Sequence, residues 1–392
     1  MAESSSISRV LRHPAATAES LESIALLLGA AFFVVGGAIS FVVFWGRDLP
    51  ISGPGSLGEY VGIGGALTAL IAFVLGRILM ASHRHPAVLR DPSPGLNMPG
   101  ARLHWFDVAA LAVAHGAIAL LGWIGLANLL ERSFVGAVVF PLAGAILAGV
   151  AFAVTSYVSF LSSVHLTPML LSLVLATFLV VGALAAMLSA SDPQWWKTNL
   201  SALGMSDEAS ALAFNVTLIV AGAMVTIIAR YATASLPTGT RQELRGRNLL
   251  RVGLILIGIF LACVGIFPVD EFFAVHNTVA TGMAVIFAAL VVGLRWLVPA
   301  MPRVFVLLGY VFVGVIVLLA IFFAVGYYNL TAVELVAGVL IFSWIIVFLR
   351  SAGSMQVHGS QAAMAAEGAA VTAADMRTGP DAAASDPVPV SS

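Results

Sequence analysis

Six residues carry most of the chemistry open to this sequence: Ser201, Gly204, Asn215, His276, Asn277 and Glu334. All six stand inside or beside long apolar runs. A titratable side chain at membrane depth is costly unless it faces other helices or a wet cavity, so each is a candidate site residue by default. Together they describe one polar pocket. Glu334 and His276 would be partners in it, Asn215 and Asn277 would hydrogen-bond a ligand head group, and Gly204 would let a loop turn closely over it. Ser201, His276 and an acid, with Glu271 or Asp270 orienting the imidazole, also have the residue types of a hydrolytic triad, although only geometry makes a triad. The plainer alternative is that the asparagines join helices, at about 0.6–2 kcal/mol per bond, and that His276 sits in the interface. Metal chemistry is not expected. Cys263 is the single cysteine, no histidine pair has ligand spacing, and His83 with His85 is a weak pair on a basic segment. No cofactor is expected either.

The elements that must position these residues are helices in a bilayer. The 392 residues are 60% hydrophobic and 9% charged, whereas a soluble domain carries about 25% charged residues. The mean hydropathy of +1.03 agrees. This composition excludes a soluble particle, a disordered chain and a disulfide scaffold. A net charge of -1 with no basic stripe gives no reason to expect nucleic acid as a partner. Ten runs reach the roughly 20 apolar residues that a span needs: 22–45, 59–81, 106–130, 134–161, 167–189, 210–234, 249–268, 273–297, 304–327 and 331–350. The first is too long for the apolar core of a signal peptide. The fourth contains Pro141, which predicts a tilt or kink. The fold class is therefore all-α, a polytopic transmembrane bundle of about ten spans with no strands.

The basic residues give its orientation. With both termini cytoplasmic, 15 of the 18 lysines and arginines fall on inner segments and 3 on outer ones: Arg47, Arg132 and Lys197. Such a bias is the positive-inside rule. It places the six candidate residues toward the outer face. Two inner loops, 82–105 and 235–248, are basic, either as topology determinants or to hold anionic lipid heads. The expected organisation is a cytoplasmic segment at 1–21, a four-span extension at 22–163, a six-span membrane domain at 164–350, and a disordered cytoplasmic tail at 351–392. In the extension, His115 lies mid-span with Asp107 two turns earlier, and Thr155, Ser156, Ser159, Ser162, Ser163 and His165 crowd the end of the fourth run. A hydrogen bond between helices is the leading reading of His115, and close packing that of the hydroxyls.

Four short motifs recur in order at span ends. They are Ser201-Ala202-Leu203-Gly204 in an outer loop, Phe214-Asn215 opening the next span, Gly265-Ile266-Phe267-Pro268 closing the one after, and His276-Asn277 opening the fourth. In this the stretch 167–350 resembles the bacterial membrane family catalogued as domain of unknown function 998, and more distantly the Frag1 and Sfk1 type of lipid-linked membrane proteins. The resemblance implies six spans, a place in the bacterial plasma membrane, and no known reaction. The function expected from all this is the binding or handling of a lipid or envelope precursor at the outer leaflet, with membrane lipids and envelope proteins as partners. A secondary transporter of a small solute is the first alternative. An outer-face hydrolase or transferase is the second, and the lack of a recognisable constellation leans away from an enzyme.

Overall fold

The computed structural model describes residues 18–82, 104–205, 209–234 and 236–352. The N-terminal segment to 17, most of the basic loop before 104 and the tail from 353 lie outside the described residues, so the expectation of a disordered tail is not addressed. Ten helices run in chain order: α1 Ala18–Phe44, α2 Leu57–Ser82, α3 Trp105–Ser133, α4 Pro141–Val164, α5 Pro168–Leu188, α6 Ala209–Ala234, α7 Arg241–Ile266, α8 Phe273–Leu297 and α9 Arg303–Ala324, then α10 Leu330–Ala352. All ten are long and apolar enough to cross a membrane. At 1.5 Å per residue, 20 residues already span the roughly 30 Å hydrocarbon layer. The two ends of the bundle are called here arginine-rich and arginine-poor.

Local chemistry sets the helix starts. Thr167 accepts the Leu170 N–H at 3.1 Å to cap α5. Thr240 and Glu243 exchange bonds with each other's backbone at the start of α7, a reciprocal cap that satisfies two orphan donors. Asn329 Oδ1 accepts the Ala332 N–H to cap α10. Pro141 corrects one expectation. It stands in the first turn of α4, where proline costs no hydrogen bond, so it starts the helix and does not kink it. The residues before it supply a second correction. Val138–Val139 pair antiparallel with Leu49–Pro50, so a short ladder ties the first arginine-poor connection to the second.

Helix α4 lies between α1 and α2, α2 also packs on α3, and α3 packs on α5 and α6. From there α6 packs on α7, α7 on α8, and α8 on α9. The apolar interior is divided accordingly. Phe152 of α4 is wedged between Gly36 of α1 and Gly64 of α2, where any Cβ would meet its ring at 2.5 Å. The larger core is drawn from Phe73 of α2, from α3 and from α5 through α10, without α4. At its far end the fully buried Trp344 stacks on Phe305 at 5.2 Å and on Phe348 at 5.6 Å. Helices α6 and α7 approach closely at Gly222 and Gly258, where an added Cβ would fall within 2.6 Å of the facing carbonyl. Small residues at such crossings let backbones touch, which is how helices associate where lipid removes the hydrophobic drive.

Candidate functional site

At the arginine-poor end, the connection between α5 and α6 folds back as two 3₁₀ turns, Trp195–Lys197 and Leu200–Gly204. The second turn is pinned from three helices. His276, buried at the start of α8, sets its Nε2 at 3.0 Å from Ser201 Oγ and its Nδ1 at 2.8 Å from the Phe267 carbonyl. A carbonyl only accepts, so Nδ1 carries the proton and, in the neutral ring, Nε2 accepts the Ser201 hydroxyl. Glu334 of α10 accepts the Leu200 N–H at 2.6 Å and also bonds the Ser201 N–H. Asn215 of α6 donates to the Gly204 carbonyl at 3.2 Å, and a Cβ on Gly204 would sit 2.5 Å from Asn215 Oδ1. Gly204 is thus required by close approach and not by backbone conformation.

Five of the six candidate residues therefore meet in one network. Glu334 and His276 do not bond each other; Ser201 lies between them, giving its hydroxyl to one and its amide to the other. Asn277 stands apart, because its side chain donates to the Phe273 carbonyl of its own helix at 2.9 Å. The network is turned inward on the protein. Among the described residues, Asn199 Oδ1 and Thr331 Oγ1 are the buried side-chain atoms at this end of α10 and its loop that lack a partner.

The space in the molecule is elsewhere. A cavity of about 680 Å³ lies between α4 and α5 with α3 as its floor. Its rims, Leu126, Val154, Val158 and Leu173, are 42–59% exposed on the outside of the bundle. Helices α4 and α5 are consecutive yet scarcely touch. Side chains bridge α4 to α3 instead: Trp123 Nε1 donates to Thr155 Oγ1 at 3.0 Å, and His115 Nε2 meets Ser162 Oγ at 2.7 Å. His115 Nδ1 is held by the Leu111 carbonyl at 2.8 Å, so this ring too has both nitrogens engaged. The Ser159 hydroxyl faces the same cavity. Gly122 lines it as well, and a Cβ there would meet nothing within 4 Å.

The family model described as protein of unknown function, DUF998, matches residues 172–351. Over that stretch the chain is similar to the DUF998 family. No curated protein and no solved structure matches the chain. The Ser201 network lies wholly inside the DUF998 stretch, whereas the cavity straddles its beginning, with α3 and α4 before it and most of α5 within it.

Sequence reasoning missed the partners that are backbone atoms, the Phe267 carbonyl and the Leu200 amide, because no side chain announces them. It also passed over an ion pair. Asp107, fully buried in the first turn of α3, accepts from Arg230 of α6 and from the Tyr231 hydroxyl at 3.0 Å, and caps the His104 N–H at 3.0 Å. The signal was present: Asp107 and Arg230 are opposite charges inside two spans, each near the arginine-rich end.

Proposed function

We propose that the protein binds a membrane lipid, with an acyl chain lying in the cavity between α4 and α5. The observation that supports this is the cavity itself. At about 680 Å³ it falls in the range of ligand sites. It opens sideways between two helices, and its walls are largely apolar. The hydroxyls and histidines cluster where α4 ends, toward the arginine-rich end. Lipid handling is the reading first drawn from the sequence, but the place differs. The cavity occupies residues 154–165 of α4 and its connection and 170–177 of α5, which is the arginine-rich half of each helix. By the positive-inside rule that half belongs to the cytoplasmic leaflet.

The test is photo-crosslinking with a lipid carrying a diazirine on its acyl chain, followed by peptide mapping. Crosslinks are expected on α4 and α5 around Val158 and Leu173. Gly122→Phe sets its Cβ in open space at the cavity wall and should reduce that crosslinking at least tenfold with the melting temperature unchanged. Equal crosslinking in the two proteins would refute the reading.

A second reading, an outer-face hydrolase or transferase, has one observation in its favour. Ser201 and His276 stand as nucleophile and base, with the base oriented by a third group. In such a step Ser201 Oγ would attack an acyl carbonyl, whose π pair moves to its oxygen, while His276 Nε2 takes the hydroxyl proton; the pair then returns to expel the leaving group, which takes that proton from His276. Against it, the Leu200 and Ser201 amides nearest the hydroxyl are occupied by Glu334. A fluorophosphonate probe that labels the wild type and not Ser201→Ala would support this reading, and no labelling would dismiss it.

A further inference from the structure

Among the described residues, the arginine-rich end of α6 and α7 holds more positive charge than the carboxylates there balance. Arg230 pairs with Asp107. One turn on, Thr233 Oγ1 accepts from Arg251 Nε at 2.7 Å. Arg247 and Arg230 both lie within electrostatic range of Arg251, and Arg77 lies within range of Tyr231. Arg77 is already engaged, donating to the Ser163 carbonyl at 2.8 Å. Glu243, one turn before Arg247, accepts the Thr240 N–H and forms no ion pair with Arg247 among the described residues. Arg247 and Arg251 stand one turn apart on α7, Arg251 reaches the turn of α6 that follows Arg230, and of the three Arg230 is the one paired with a buried carboxylate. Nε of Arg230 and Nε of Arg247 are buried with no hydrogen-bond partner among the described residues. Guanidinium groups that stand together match the several oxygens of a phosphate, which they bind by paired bonds.

Depth points to the source of that phosphate. Residues 241–248 of α7 are mostly polar and the apolar run starts at Leu249. Arg251 therefore stands where the span enters the bilayer, at the level of lipid head groups. The Arg230 side chain is 37% exposed, so the group can be reached from outside.

We propose that Arg230, Arg247 and Arg251 bind the phosphate of an anionic membrane lipid at the arginine-rich end of the bundle. This site stands on the arginines alone and goes beyond the acyl cavity; it holds whether or not that cavity is filled.

Full-length protein in detergent micelles is titrated with short-chain phosphatidylglycerol, short-chain phosphatidylcholine or inorganic phosphate, reading melting temperature and lipid adducts by intact-mass spectrometry. Phosphatidylglycerol is expected to raise the melting temperature and persist as an adduct, and the other two are not. The variant R247Q/R251Q spares the Asp107 pair and should bind phosphatidylglycerol roughly thirty-fold more weakly, from two cations lost. R247K/R251K keeps the charges and loses the paired guanidinium bonds, so it should bind between the wild type and the glutamine variant. Equal binding of the two lipids would overturn the proposal. Inorganic phosphate giving the full stabilisation would also overturn it, by making the site one for a free anion. Should the glutamine variant fail to fold, the wild type decides: binding lost at high salt supports the proposal, and salt-insensitive binding sinks it. Failure of the acyl cavity is read separately, because Gly122→Phe removes crosslinking while leaving any preference for phosphatidylglycerol intact.

Discussion

Glu334 Oε2 accepts the backbone N–H of Leu200 at 2.6 Å across 134 residues of chain. The carboxylate also takes the Ser201 N–H, so one side chain on the last span satisfies two donors of a turn between the fifth and sixth. An unpaired buried donor costs about 1–3 kcal/mol. Glu334→Ala should therefore destabilise the protein by about 3 kcal/mol. Glu334→Gln keeps one acceptor oxygen and should cost about half as much. Thermal melting in micelles measures both; equal losses would mean that the charge, and not the hydrogen bonding, matters there.

The Ser201 and His276 side chains should behave as a unit. Each single alanine variant strips the other of its partner, so the double variant should lose less than the two singles summed. A coupling of about 0.5–3 kcal/mol is expected from a double-mutant cycle on stability. Losses that add to within about 0.5 kcal/mol would show that the pair is not coupled.

The Asp107–Arg230 pair predicts an asymmetry. Asp107 is fully buried and the Arg230 side chain is 37% exposed. Arg230→Ala strands a buried carboxylate and should cost about 3–5 kcal/mol. Asp107→Ala leaves an arginine that water can still solvate, and should cost clearly less. Denaturation of the two variants side by side tests the order, and a reversed order would contradict the burial that underlies it.

Orientation follows from the arginine distribution and is open to a direct test. In a Cys263→Ala background, a cysteine at Ser191 should react with an impermeant maleimide on intact cells, and one at Thr238 should react only after lysis. Both positions are exposed on loops at opposite ends of the bundle. The opposite pattern would turn the protein over and move the cavity to the outer leaflet.

The spans were legible because each is a contiguous run whose length is fixed by the bilayer. Pro141 was legible as a residue and misplaced as a role, since an apolar window does not reveal that a helix begins within it. The network was partly legible: polar residues at the ends of different spans are visible in sequence, and Ser201, Gly204, Asn215, His276 and Glu334 do meet. The Ser201–His276 contact was among the readings of the sequence; the rest of the pairing was not, because His276 Nδ1 and Glu334 choose backbone partners, Phe267 and Leu200. Asn277 differs from His276 by one residue and so by about 100° around α8, which is enough to turn it back onto its own helix. The cavity was invisible for another reason. It is the space left where α4 and α5 fail to pack, and no residue encodes a gap by its own type.

Helices α4 and α5 are joined by only three residues, 165–167. This makes the opening between them a wedge, closed at the arginine-rich end by the chain itself and unsealed along its flank. A guest would enter and leave by sliding in the plane of the bilayer, through a side door that never faces water. Its occupancy would then follow the mole fraction of that lipid in the membrane and not its concentration in solution. Titrating a soluble analogue into the aqueous phase would understate the affinity, whereas changing the lipid composition around the protein would vary the quantity that governs filling.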